Sequence, residues 1–332
     1  MSHERLVETA NQLADELLFP VAMTVDTAAR VPETHLLELA RAGLFGLGGP
    51  AASGGLEVPE NVHWSVIEAL AGGCLATTFV WLQHHGSVRA LAQTNNHELA
   101  QQWLPELCAG RQRGGLALSG IRPGRRQLRA RAVMGGVVLD GDAPWVSGWS
   151  LVDVLLTPAR MEEQTVSLLL DAIETDTLIA TPVPLVAANA SRNVRVAFRG
   201  HFVPKERILG ITPYADPPAH DGGGRSNGSL ALGVTRRACR LMGEPTPFAA
   251  ELDACRSALD AANELEMAHA RAASVDLAVR ATAALLVHDG SRSIALDAHP
   301  QRLAREAMFL CTFGSRPAIK RELLETLQAR PR

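Results

Sequence analysis

The sequence predicts an α+β multidomain protein in which a block of strands lies between two helical regions. Three observations carry this. Apolar residues recur at helical spacing from the N-terminus to about residue 110. Seven short β-type runs then follow one another, separated by Gly, Asp or Pro. From Leu230 the helical spacing returns and persists to the end. Strands gathered in the middle, instead of alternating with helices, exclude a doubly wound parallel sheet. The predicted units are residues 1–112, 113–220 and 221–332.

Residues 2–18 carry Glu4, Glu8, Asp15 and Glu16 at helical intervals, as an amphipathic surface helix does. Leu36, Leu37, Leu39, Ala40 and Leu44 form one apolar face. Residues 66–91 hold two further helical segments divided near Gly72-Gly73, and residues 98–107 another. GLFGLGGPAASGG (43–55) is a loop. It imitates a phosphate-binding glycine pattern, but it follows a helix and lacks the acidic partner. The β-type runs are 116–118, 129–133, 137–139, 152–156, 166–170, 178–183 and 194–198. HDGGGRSNG (220–228) lacks the GK[ST] of a phosphate loop and is predicted as a linker. Beyond it come Ala-rich helices, with His299-Pro300 marking one helix start.

A chain of 332 residues buries roughly three quarters of its unfolded surface, enough for a core without metals or disulfides. A net charge of −3 gives no footprint for nucleic acid or a membrane surface. The five cysteines are scattered without metal-ligand spacing. An odd number without a signal peptide predicts reduced thiols in a cytoplasmic protein. No run reaches the ~18 apolar residues of a membrane span.

Four constellations bear on chemistry. Trp145 and Ser147 stand between two predicted strands, in APWVSGW, and are expected at a sheet edge. An indole stacks on a planar heteroaromatic ring and a hydroxyl bonds to that ring's nitrogen; the alternative is a Trp that caps the β-domain core. His84 and His85 are adjacent on a helix, so at most one is expected to point inward. Arg122, Arg125, Arg126 and Arg129 form a basic cluster suited to a phosphate, or else to a solvated loop. Cys311 lacks an activating base nearby and is expected to be a buried packing residue.

Six segments, in order, resemble the acyl-CoA dehydrogenase family. GLFGLGGPAASGG is similar to its GLFGL-x-x-P-x-x-x-GG loop, and HELAQQWLPELCAGRQRGGLALSG to its keYLPxLasGexxgxxalTE segment. WVSGWSLVDVLLTPAR resembles WITNaxxADxxxVxAR, and NVRVAFRGHFVPKERILG resembles VxFxxVxVPxxxxLG. LALGVTRRACR is similar to the helix opening the family's C-terminal domain, and RLAREAMFLCTFGSRPAIKR to kLxRDAxxxxIyEGTxxIxR. The resemblance implies an N-terminal helical domain, a central β-barrel and a C-terminal four-helix bundle. It also implies an FAD between barrel and bundle, an acyl thioester of CoA or a carrier protein as substrate, and oligomers whose neighbouring subunit helps hold the flavin.

Carried over position by position, Ser119, Trp145 and Ser147 match flavin contacts of the family. Phe248 matches the segment that reaches a neighbour's flavin, and Gly290 a glycine of the FGGNG loop. The family's Glu-Pro and GSD are replaced here by 120–126, which place Arg122 and Arg126 on the substrate side. His84 and His85 are further substrate-side candidates, because monooxygenases on the same fold use polar residues near the flavin. The family's catalytic glutamate aligns with Gly314, which cannot take a proton. Members with the base on the other helix would place it at 223–225, again without a carboxylate. Glu244 and Glu306 are the nearest acids in sequence, and Glu306 is expected in a structural ion pair. Three functions follow as expectations. The first is an FAD-dependent oxidoreductase acting on the CH–CH bond of an acyl thioester. The others are a non-catalytic partner of a full-length dehydrogenase and a flavin monooxygenase. No metal is expected.

Overall fold

The computed structural model describes residues 2–122, 124, 126–214, 224–243, 245–314 and 316–329. The first region holds α1 (His3–Gln12), α2 (Ala22–Thr27), α3 (Glu33–Arg41), α4 (Glu60–Gly73), α5 (Leu75–Ala92) and α6 (His97–Cys108). Ser2 caps α1 by accepting from the Arg5 N–H at 3.3 Å. Leu6 and Ala10 bury its apolar stripe. The chain breaks between α4 and α5 because Cys74 is fully extended there, at φ −151 and ψ 110. The divide expected at Gly72-Gly73 therefore falls one residue later.

Eight strands follow: β1 (Gly114–Leu116), β2 (Arg129–Val133), β3 (Gly136–Val146), β4 (Val154–Met161), β5 (Gln164–Asp171), β6 (Leu178–Pro182), β7 (Val194–Pro204) and β8 (Ile208–Pro213). Their order is β6-β7-β3-β2-β4-β5-β8, with β1 added in parallel beside β4. Alternate residues of β2 to β7 share one buried cluster that includes Leu139, Val146, Leu155, Val166, Leu178 and Phe198. The sheet thus wraps round a core of its own, as a barrel does. β8 is absent from the sequence reading. Gly210 and Pro213 interrupt its apolar run, and its pairing with β5 supplies what the local sequence lacks.

The last region comprises α7 (Gly224–Met242), α8 (Ala249–Ala261), α9 (Met267–Asp289), α10 (His299–Thr312) and α11 (Pro317–Gln328). α9 is the axis on which α7, α8, α10 and α11 pack. Part of the predicted linker is corrected here. Residues 224–228 already belong to α7, and Gly224, Arg225 and Gly228 are buried in it. Tertiary packing overrides the low helix propensity of this Gly- and Ser-rich stretch. Residues 220–223 lie outside the described residues.

The barrel keeps a core inside its sheet, the two helical regions share another, and α5 and α6 pack on β4, β5 and β8 through Leu91, Leu104, Val154, Leu169 and Leu209. Leu36, Ile67 and Leu75 join Leu230, Val275 and Leu303 in a single cluster. α4 and α7 cross so closely that a Cβ on Gly233 would stand 2.4 Å from the Glu68 carbonyl oxygen. Arg237 of α7 reinforces the crossing: it bonds Asp15 and the Gly72 carbonyl and lies 4.0 Å over the Phe19 ring. We expect Arg237→Met to lower the unfolding free energy by about 3 kcal/mol, as breaking a buried ion pair does, read from urea melts. Asp15 keeps Arg240 at 2.8 Å, which sets the effect at the low end of that range.

Candidate flavin-ring platform and the altered base position

The platform begins with a defect in the sheet. Between Ala143 and Val146, β3 carries one residue more than β7 opposite it, a bulge that accommodates Pro144. The extra residue puts Trp145 in the left-handed region, at φ +61. For a bulky aromatic this costs about 1–2 kcal/mol. It turns the indole out of the barrel, where it is 62% exposed. β2 pairs with β3 only as far as Asp140, so toward Trp145 the ladder of β3 runs with β7 alone. Trp145 does not cap the β core. Ser119, on the short 3-10 turn after β1, donates its hydroxyl to the Pro144 carbonyl. The structure thereby brings Ser119 and Trp145 together.

Ser147 is placed differently. Its side chain is buried, and its Oγ accepts from the Asn193 amide at 3.1 Å. Asn193 was not foreseen; only the register between the end of β3 and the start of β7 brings it there. Phe248 caps the start of α8, with the Arg280 guanidinium 5.9 Å from its ring centroid, within the helical bundle. Gly290 ends α9 at φ +66 and ψ −150, a conformation open essentially to glycine alone. Its retention therefore has a backbone cause. Arg122 is exposed beside the 3-10 turn, and Arg125 lies outside the described residues. Arg126 bonds Asp142 at 3.2 Å on the barrel surface.

The histidine pair corrects an expectation: both rings are buried. α5 is covered on nearly all sides, by the 44–45 loop, β1, α4 and the short turn after β6, so pointing to different sides of the helix does not expose either ring. His84 donates from Nε2 to the Phe45 carbonyl at 3.2 Å and accepts the Gly114 N–H on Nδ1 at 3.0 Å. Both nitrogens are thus used in holding loop, helix and strand together. Burial pushes its pKa down to about 3. His85 packs 4.5 Å from the Trp81 ring and 4.4 Å from His63. Burial holds it well below the ordinary histidine range and lowers His63 to about 4.

A separate aromatic cluster lies at the end of α10. Phe79 of α5 meets Phe309 and Phe313 edge-on at 5.2 and 4.6 Å, and these two stack on each other. Cys311 sits on the same segment; burial pushes its thiol pKa up, so it is not an activated nucleophile. α10 stops at Thr312, Phe313 is extended and Gly314 turns at φ +62. A Cβ on Gly314 would lie 2.8 Å from Nδ2 of Asn227, on the first turns of α7. Both places expected to carry a proton-abstracting carboxylate, the end of α10 and the start of α7, therefore face each other. Neither Gly314, Gly224 nor Arg225 supplies one, and Arg225 is engaged with Asp260 at 2.6 Å. Gly223 and Glu244 lie outside the described residues. Glu306 is fully buried and takes the Arg302 guanidinium at 2.6 Å. Burial raises its pKa against that attraction.

The order of helical region, barrel and helical bundle is the fold of solved acyl-CoA dehydrogenases. A sequence profile for "Acyl-CoA dehydrogenase, N-terminal domain" matches residues 1–111. The chain is 24% identical over 219 residues to the mitochondrial short-chain specific acyl-CoA dehydrogenase of Bos taurus, covering 63% of this chain and 53% of that one. It thus spans about half the length of the curated relatives it matches. Butyryl-CoA dehydrogenase from Megasphaera elsdenii superposes with a TM-score of 0.85 at 15% identity, covering 99% of this chain and 98% of that one. A dibenzothiophene monooxygenase from Paenibacillus sp. A11-2 superposes with 0.79 at 17%, covering 98% and 97%. The chain resembles the dehydrogenases in sequence and shares a fold that carries both chemistries.

Proposed function

We propose that the protein is an acyl-CoA dehydrogenase-like FAD flavoprotein that exchanges electrons with an acyl thioester. The single observation that carries this reading is Trp145. An exposed indole held in a strained backbone conformation, with a hydroxyl fixed beside it, fits a flavin ring better than it fits solvent. When bound, the flavin would supply the hydride-accepting centre. The chain's own part is to stack the ring on Trp145 and orient it from the Ser119 side. Gly314 holds no proton, so removal of the substrate's α-proton is not assigned to that position.

A second reading, a partner subunit that completes a heteromeric dehydrogenase, is favoured by Gly314 and its contact with Asn227. A glutamate there would need both a left-handed backbone and displacement of Asn227. The visible spectrum of the purified protein, alone and co-expressed with a neighbouring dehydrogenase, separates the two. Flavin absorbance in the protein alone, bleached by an acyl-CoA under anaerobic conditions, supports the first. Flavin loading only with the partner overturns it in favour of the second.

A further inference from the structure

The outer face of the barrel carries a pocket to which the proposed function assigns no role. It has a volume of about 390 Å³ and is lined by Arg126, Arg129 and Arg199 around Asp140, Gly141 and Asp142. At its floor Asp142 is buried, with its side chain 5% exposed. Three guanidinium groups converge on this carboxylate: Arg199 at 3.1 Å, Arg126 at 3.2 Å and Arg195 at 3.9 Å. Each approaches through Nη1 alone, which leaves the outer face of every fork, Nε or Nη2, for a ligand. Arg199 is fixed further by the Gly141 and Phe198 carbonyls at 3.2 and 2.8 Å. Arg129 lines the same pocket and, among the described residues, makes no ion pair.

We infer that this pocket is a binding site for a phosphate ester. Three guanidinium groups line the pocket against Asp140 and Asp142, and Arg195, outside the lining, also pairs with Asp142, so the site has a local surplus of positive charge that suits a phosphate. Arginine forks suit phosphate oxygens because they present paired, always-charged donors. A buried aspartate that holds three of them in place removes much of the ordering cost of closing on the ligand. Ordinary surface arginines spread apart to relieve mutual repulsion, and here β3 and β7 hold them together. The pairing of Asp142 with Ala197 sets Arg195 and Arg199, two residues to either side, beside that carboxylate. The site stands on these contacts alone and does not depend on the flavin reading. A thioester's nucleotide portion, a flavin nucleotide and free phosphate all present the same group.

Isothermal titration with CoA, 3′-dephospho-CoA, FMN and inorganic phosphate at 0.15 M salt tests it on the whole chain. Binding by at least one of them that weakens about tenfold or more in Arg129→Gln is the expected result. Arg129→Gln is the primary variant because it leaves the partners of Asp142 intact. Arg199→Gln, checked for an unchanged melting profile, should weaken the same ligand further. CoA binding that exceeds dephospho-CoA binding identifies the 3′-phosphate as the occupant; equal binding of FMN and phosphate identifies a simple phosphate group. No binding by any of the four, or affinities that Arg129→Gln leaves unchanged, overturns the proposal and leaves the pocket as an internal ion-pair network.

Discussion

Trp145→Gly should weaken flavin binding about 10- to 100-fold while leaving the protein as stable as before, or more so. Stacking of a planar ring on an aromatic side chain is worth about 1–3 kcal/mol where alanine substitution has measured it for nucleic-acid bases, and that range sets the expected loss. The stability half of the prediction comes from the backbone. Trp145 is at φ +61 and largely exposed. Glycine relieves a cost of about 1–2 kcal/mol and removes little buried surface. Flavin fluorescence quenching and a thermal melt of the same sample read both quantities. A drop in melting temperature with unchanged flavin affinity would show the indole to be a packing residue and remove the main support for the functional reading.

Mild acid should destabilise the fold steeply, and histidines should be the cause. His63 and His84 have folded pKa values of about 4 and about 3, against an ordinary value near 6.5 in the unfolded chain. Burial is the main cause in each, because it disfavours the charged ring, and Arg89 and Arg113 add repulsion. The unfolded chain therefore binds more protons than the folded one below pH 6.5. Stability is complete above that value and is lost as pH falls toward the folded pKa values. At pH 5 each histidine contributes about 2 kcal/mol of loss, a large share of a typical net stability of about 5–15 kcal/mol. His35 and His299 are shifted in the same direction, and His85 also. Denaturant melts between pH 7.5 and 5 measure the slope. His63→Leu, which removes a ring whose Nε2 has no hydrogen-bond partner, should flatten it visibly. An unchanged slope in that variant would place the acid sensitivity elsewhere.

The order of helices, strands and helices was legible because period-3.6 and period-2 patterns survive in local sequence. Features set by long-range register were not. The sequence places Arg126 and Arg129 in a basic loop, but Asp142, Arg195 and Arg199 join them only through the pairing of β3 with β7. Trp145 stood out as an aromatic between two strands. Its left-handed conformation did not, since a bulge depends on how many residues the partner strand supplies. The histidine pair misled for the opposite reason. A rule about helix faces assumes one face in solvent, and α5 is buried around almost its whole circumference. Gly314 is legible because RLAREAMFLCTFGSRPAIKR resembles a family segment residue by residue. That it faces Asn227 across two helices is a tertiary fact with no local trace.

Arg305 gives the architecture a consequence beyond chemistry. From α10 it grips Asp26 in the first helical region and the Val186 carbonyl beyond the barrel's β6. One side chain thus fastens all three regions, two of which already share a core. The first helical region and the bundle are therefore fated to melt together, as one cooperative block, while the barrel retains an interior of its own. Drift in sequence can remodel cheaply only the part of the barrel's outer face that α5 and α6 leave uncovered, because Val154, Leu169 and Leu209 pack on those helices. The helical halves can change only in concert.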